Sequence, residues 1–96
     1  MKFSFHPEAR EEFILTIEYY EHCSSGLGYD FALEVYSTIQ NILKYPRAWP
    51  MFGDGMRRCQ TRRFPCGVVY SIKRNEIFIL AVMHLRREPG YWKKRC

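Results

Sequence analysis

The 96-residue chain contains no apolar run near the roughly 20 consecutive residues a membrane-spanning helix requires. Its opening, Met1-Lys2-Phe3-Ser4-Phe5-His6-Pro7, lacks the apolar stretch and small-residue cleavage site of a secretory leader. A soluble, cytoplasmic protein is therefore expected. Cysteine is sparse: Cys23, Cys59, Cys66 and Cys96 form no CxxC pair and have no histidine partner at zinc-ligand spacing. No metal or cofactor is expected from that pattern. Cys59 and Cys66 could face each other across a hairpin, but free thiols packed as small hydrophobes are the expected state in a reducing compartment. Repeats, low-complexity tracts and linkers are also missing, so residues 1–96 are read as a single domain.

Acidic residues are scarce in the second half. Residues 1–55 carry four Lys/Arg against eight Asp/Glu, whereas residues 56–96 carry eleven against two. Such a split points to a basic surface facing an anionic partner, whether RNA, DNA or an acidic protein segment, or else to a solvated basic face. Hydrophobic residues make up 47% of the chain and aromatics 17%, enough to build a core and too many for a disordered segment.

The pattern of elements follows from periodicity. Lys2 to Phe5 alternates as a short strand, and Pro7 suits the first position of a helix. Glu8, Glu11 and Glu12 then lie near the positive end of the helix dipole. Ala9, Phe13, Ile17 and Tyr20 mark one buried stripe, ended by Ser24-Ser25-Gly26. A second helix is expected over residues 29–45, with Phe31, Val35, Ile39, Ile42 and Leu43 as its stripe and Pro46 as its stop. The short link makes the two an antiparallel hairpin.

Three strands are expected after the loop at 46–55: a basic one over 56–63, a β-branched one over 68–73 and an apolar one over 77–83, the last two joined at Arg74-Asn75. The third is apolar at every position, as in a strand covered on both faces. One cover is the helical hairpin; the other is the C-terminal tail, a separate protein or a second copy. The expected architecture is thus α+β, in the order β-α-α-β-β-β, a helical hairpin on a small antiparallel sheet with a short basic C-terminal tail.

Specific residues then carry a resemblance. The run Arg62-Arg63-Phe64-Pro65-Cys66-Gly67-Val68-Val69-Tyr70 resembles the R-F-P-Y-x-I-x-Y hairpin of RelE/ParE-type toxins. The ending from Ala81 to Arg95, with His84, Arg86-Arg87, Pro89, Tyr91-Trp92 and Arg95, resembles their V-x-H-x-R-R-x-P-x-Y-W-x-x-R tail. Pro7-Glu8-Ala9, Gly26-Leu27-Gly28 and Pro46 also match, so the resemblance spans essentially the whole chain. It implies the toxin of a type II toxin–antitoxin system, of the kind associated with plasmid stabilization and growth inhibition. The partner it implies is a cognate antitoxin, bound as a hetero-oligomer.

Two activities of the superfamily need different residues. RelE-like members cleave mRNA on the ribosome without metal, which requires groups that activate the 2′-hydroxyl, stabilise the phosphorane and protonate the leaving oxygen. ParE-like members inhibit DNA gyrase without chemistry of their own. Against the RelE pattern, Arg58 and Tyr91 match, but Gln60, Gly67 and Leu85 stand where basic residues are expected. Each missing donor costs about 10²–10³ in rate. The ParE-like reading is therefore preferred. Arg58, His84, Arg86 and Tyr91 are the catalytic candidates only if the chain is a nuclease acting on ribosome-bound mRNA. Arg62, Arg63, Arg87, Trp92, Lys93 and Arg95 are the candidates for contact with target or nucleic acid. An inactive antitoxin-binding relative is the third reading.

Each of these residues also has a structural alternative. His84 suits closing an apolar strand against a backbone carbonyl, Tyr91 and Trp92 suit plugging a core, and Arg63 beside Phe64-Pro65 suits holding a turn. His6 is expected to close the first strand or cap the first helix.

Overall fold

The computed structural model describes residues 1–84. The elements are β1 (Lys2–Phe5), α1 (Pro7–Cys23), α2 (Leu27–Lys44), β2 (Met51–Phe52), β3 (Met56–Gln60), β4 (Cys66–Lys73) and β5 (Glu76–His84). The helical hairpin, the three long strands and their order agree with the periodicity. The sheet differs in two respects. A two-residue β2 in the 46–55 loop adds a fifth strand, giving the order β1-β5-β4-β3-β2. β1 runs parallel to β5, pairing Lys2 with Glu76 and Phe5 with Ile79, so the sheet is mixed and not wholly antiparallel. A parallel neighbour needs a crossover, and the helical hairpin with the three strands after it supplies one.

His6 performs both expected tasks. Its N–H donates to the Ile79 carbonyl at 2.8 Å, extending the strand pairing by one bond. Its Nδ1 accepts from the Glu8 N–H at 3.1 Å, capping α1, with Pro7 following at a position that needs no donor. The helices meet closely at their link. A Cβ on Gly28 would lie 2.5 Å from the Ile17 carbonyl oxygen and 3.0 Å from the Glu21 Cβ. Glu21 also accepts from the N–H groups of Gly26 at 2.9 Å and Gly28 at 3.1 Å, capping α2 from the preceding helix. That cap lets α2 begin at Leu27, ahead of its apolar stripe.

The stripes pack as their spacing requires. Ala9, Phe31, Val35, Ile39 and Ile42 are fully buried, with Phe13, Ile17, Tyr20 and Leu43 partly so. All of these but Ala9 pack in one cluster with Cys59, Val68, Tyr70, Ile77, Ile79 and Val82 on one face of the sheet, the helix face. Each such apolar side chain contributes on the order of 1.5–3 kcal/mol. On the far face a second cluster comprises Met56, Val69, Leu80, Ala81 and Met83, all buried. A register shift explains why β5 is apolar throughout. Val69 pairs with Ala81 and Tyr70 with Ile79, so Leu80 is an extra residue and both Leu80 and Ala81 join the far-face cluster. The tail expected to cover that face lies outside the described residues. Arg74 and Asn75 take positive φ of 50° and 62°, the conformation a two-residue hairpin of this hand demands.

Candidate target-binding surface

The basic residues of β3 are sorted by the pleat. Arg57 pairs with Tyr70 on the helix face, and Arg58 pairs with Val69 on the far face. The Arg57 guanidinium turns inward and donates to the carbonyls of Arg47, at 3.3 Å, and Trp49. Together with the Tyr70 hydroxyl, which donates to the Pro46 carbonyl at 2.8 Å, it holds the turn after α2 against the sheet. Burial pushes the Tyr70 hydroxyl up to about 12, with the Arg57 charge pulling in the opposite sense. Arg58 stays exposed.

The strand expected to run to residue 63 ends at Gln60, because the next residues bond among themselves. The Thr61 hydroxyl is shared between the Phe64 carbonyl at 2.6 Å and the Cys66 carbonyl at 3.0 Å. The Thr61 N–H donates to the Cys66 carbonyl at 2.9 Å, and the Cys66 N–H to that of Phe64 at 2.8 Å. Glu34 of α2 closes the loop from across the chain. One of its oxygens accepts from the N–H of Arg63 at 2.9 Å and of Phe64 at 3.0 Å. The Arg63 side chain lies 3.2 Å from the Asp30 carboxylate and 5.2 Å over the Phe64 ring, so part of its role is to hold the loop. Arg62 is exposed beside it.

His84 closes β5 opposite Cys66, a register position on the helix face, and its side chain is exposed. The structure therefore brings His84 near the base of the 61–65 loop that carries Arg62 and Arg63, while Arg58 occupies the opposite face. Arg86, Arg87, Tyr91, Trp92, Lys93 and Arg95 lie outside the described residues.

The chain is similar to known toxins. Its residues 3–89 match the family described as the ParE toxin of the type II toxin–antitoxin system parDE.

The chain belongs to the ParE toxin family.

A chain of the chromosomal ParDE TA system from P. aeruginosa has a similar fold, with a TM-score of 0.74 at 16% identity over 88% of this chain and 95% of that one. No curated protein matches. In this ParE-family toxin the buried thiols Cys59 and Cys66 are unsuited to nucleophilic work at neutral pH. Burial raises both Cys59 and Cys66 to about 11, and the hydrogen bond with Tyr20 only partly offsets this at Cys66. Cys59 stands opposite Val68 and Cys66 opposite His84; both are free thiols, as expected, and are not directly paired across the hairpin. Among the described residues no group of three His, Cys, Asp or Glu could hold a metal, and no helix is long and apolar enough to cross a membrane. Sequence reasoning missed Glu34 as the clamp of the basic loop. Its partners lie about thirty residues away, so only the fold could reveal them.

Proposed function

We propose that this type II toxin inhibits DNA gyrase by binding, and that a cognate antitoxin neutralises it in a cytoplasmic hetero-oligomer. Growth inhibition and plasmid stabilization would follow from that pairing. The placement of Arg58 and His84 on opposite faces of the sheet carries the reading. RNA cleavage needs its acid, base and charge-stabilising groups to converge within hydrogen-bond reach of one phosphate, and groups separated by a packed sheet cannot do so. Membership of the ParE family supports the same choice over a RelE-like nuclease. The contact surface is assigned to the exposed Arg62 and Arg63 loop together with the tail residues Arg87, Trp92, Lys93 and Arg95, where cations interleaved with an aromatic suit an anionic partner.

The test is a plasmid assay with purified gyrase, ATP and the toxin, scoring protein-linked linear DNA after detergent and protease. Linear DNA that rises with toxin concentration is the expected result. Its absence, from protein that arrests growth, would overturn the gyrase reading and turn attention to ribosome-bound mRNA.

A further inference from the structure

Across residues 29–40 the outer face of α2 presents apolar side chains and no unpaired charge. Tyr29, Leu33 and Tyr36 are 66%, 50% and 53% exposed, and Ala32 beside Leu33 is partly exposed. These four positions, i, i+3, i+4 and i+7, share one stripe of a helix. Ser37 and Gln40, also exposed, continue it without charge. Between Tyr29 and Gln40 the only charged residues are Asp30 and Glu34. Both are turned to the 61–65 loop, where Asp30 pairs with the Arg63 guanidinium at 3.2 Å and Glu34 accepts from two backbone N–H groups. The Tyr36 ring is braced edge-on by Phe3, with centroids 6.2 Å apart. In a chain of formal net charge +5, a neutral stripe of this kind does not select its partner by charge.

We infer that this stripe is a contact between two copies of the chain, paired antiparallel about a two-fold axis between Ala32 and Leu33. The positions are symmetric about that point, in the order Tyr-x-x-Ala-Leu-x-x-Tyr. An antiparallel copy therefore sets Tyr29 against the partner's Tyr36 and Leu33 against the partner's Ala32, large on small at the crossing. The same alignment places the positive end of each helix dipole beside the negative end of the other, and no like charges meet at the centre. An aromatic anchor already braced, as Tyr36 is by Phe3, loses little freedom on contact. The outer face of α1 fails the same test. Glu8, Glu11 and Glu18 rim Ile14 and Leu15 there, so two copies meeting on α1 bring carboxylates together. Four residues a side make a small interface, so the pairing on α2 is weak and depends on concentration.

Sedimentation equilibrium of the intact toxin from about 5 to about 500 µM tests the inference. Expected is a monomer at the low end that passes to a dimer at the high end. Leu33→Asp and Leu33→Lys each put two like charges across the axis and should weaken self-association at least tenfold. Leu33 is an exposed site, so an unchanged circular dichroism melt certifies the fold of either variant. An equimolar mixture of the two should recover the dimer, because residue 33 of one copy then lies near its opposite charge. Leu15→Asp, on α1, should leave the dimer intact. A dimer that persists in Leu33→Asp, or a mixture that stays monomeric, would overturn the inference. So would a monomer at every concentration, which would leave the stripe to a protein other than a second copy. None of these readings involves gyrase, so the DNA-cleavage assay judges the functional reading separately.

Discussion

Replacing Glu34 isolates the clamp that holds the basic loop. The carboxylate lies on half-buried α2 surface and takes two backbone N–H groups on a single oxygen, Arg63 at 2.9 Å and Phe64 at 3.0 Å. Hydrogen bonds to a charged group contribute about 1.5–3 kcal/mol each when buried. The Arg63 N–H is exposed and can turn to water, so most of the loss comes from the part-buried N–H of Phe64, a residue only 6% exposed. Glu34→Ala should therefore cost about 2 kcal/mol, a fall of roughly 8–16 °C in the melting temperature of a domain this size. Glu34→Gln keeps a carbonyl oxygen in place and removes only the charge, so it should cost less than about 1 kcal/mol. Asp30→Ala, which breaks only the exposed ion pair with Arg63, should cost at most about 0.5 kcal/mol. Urea unfolding of the three variants, with midpoint and slope compared, reads all of these. If Glu34→Gln proved as harmful as Glu34→Ala, or if Glu34→Ala fell within 0.5 kcal/mol of the parent, the clamp argument would be wrong.

Other expectations are as direct. Gly28→Ala should destabilise by about 1–3 kcal/mol in thermal melts, because the added methyl meets the Ile17 carbonyl oxygen, a backbone atom that cannot swing away. Arg57→Ala should lower the urea midpoint by the equivalent of about 1–3 kcal/mol, whereas Arg58→Ala, one residue on and exposed, should stay within about 0.5 kcal/mol. Cys59 and Cys66 ionise at about 11 in the fold against 9.0 unfolded, so the fold holds their protons more tightly. The stability this confers is complete below pH 9 and fades as pH rises from 9 to 11, by up to about 2 kcal/mol per thiol. Urea midpoints between pH 8 and 10.5 should fall in the parent and less so in Cys59→Ala/Cys66→Ala. A thiol reagent at pH 7.5 should label exposed Cys23 quickly and leave Cys59 and Cys66 until the chain unfolds.

Periodicity was enough for the helical hairpin and the three long strands, because each buries one face against a single platform. Phe31, Val35, Ile39 and Ile42 could be placed from spacing alone, as could the turn at Arg74-Asn75. The parallel pairing of β1 was hidden, since four residues alternating Lys-Phe-Ser-Phe carry no mark of strand direction. β2 was hidden because two residues have no period. The bulge at Leu80 was disguised by an apolar run in which every register looks acceptable. At the candidate surface, alternation along β3 correctly separates Arg57 from Arg58, but nothing local says that one seeks backbone carbonyls and the other solvent. Sorting Arg58 and His84 onto opposite faces required the strand ends and the bulge, which only the paired sheet supplies.

The parallel pairing of β1 and β5 also fixes when the molecule can become whole. Lys2–Phe5 take their places beside Glu76–Ile79, about seventy residues further along the chain. Until β5 is synthesised, the helical hairpin has its apolar stripes but no central strand to lay them on, and β1 has no neighbour. Such long-range closure is slow and leaves apolar surface exposed in the interim. Chain truncation before Glu76 should therefore remove the fold altogether and not merely shorten the sheet. Synthesis of β5 thus gates the folding of everything that precedes it, helical hairpin and β1 alike.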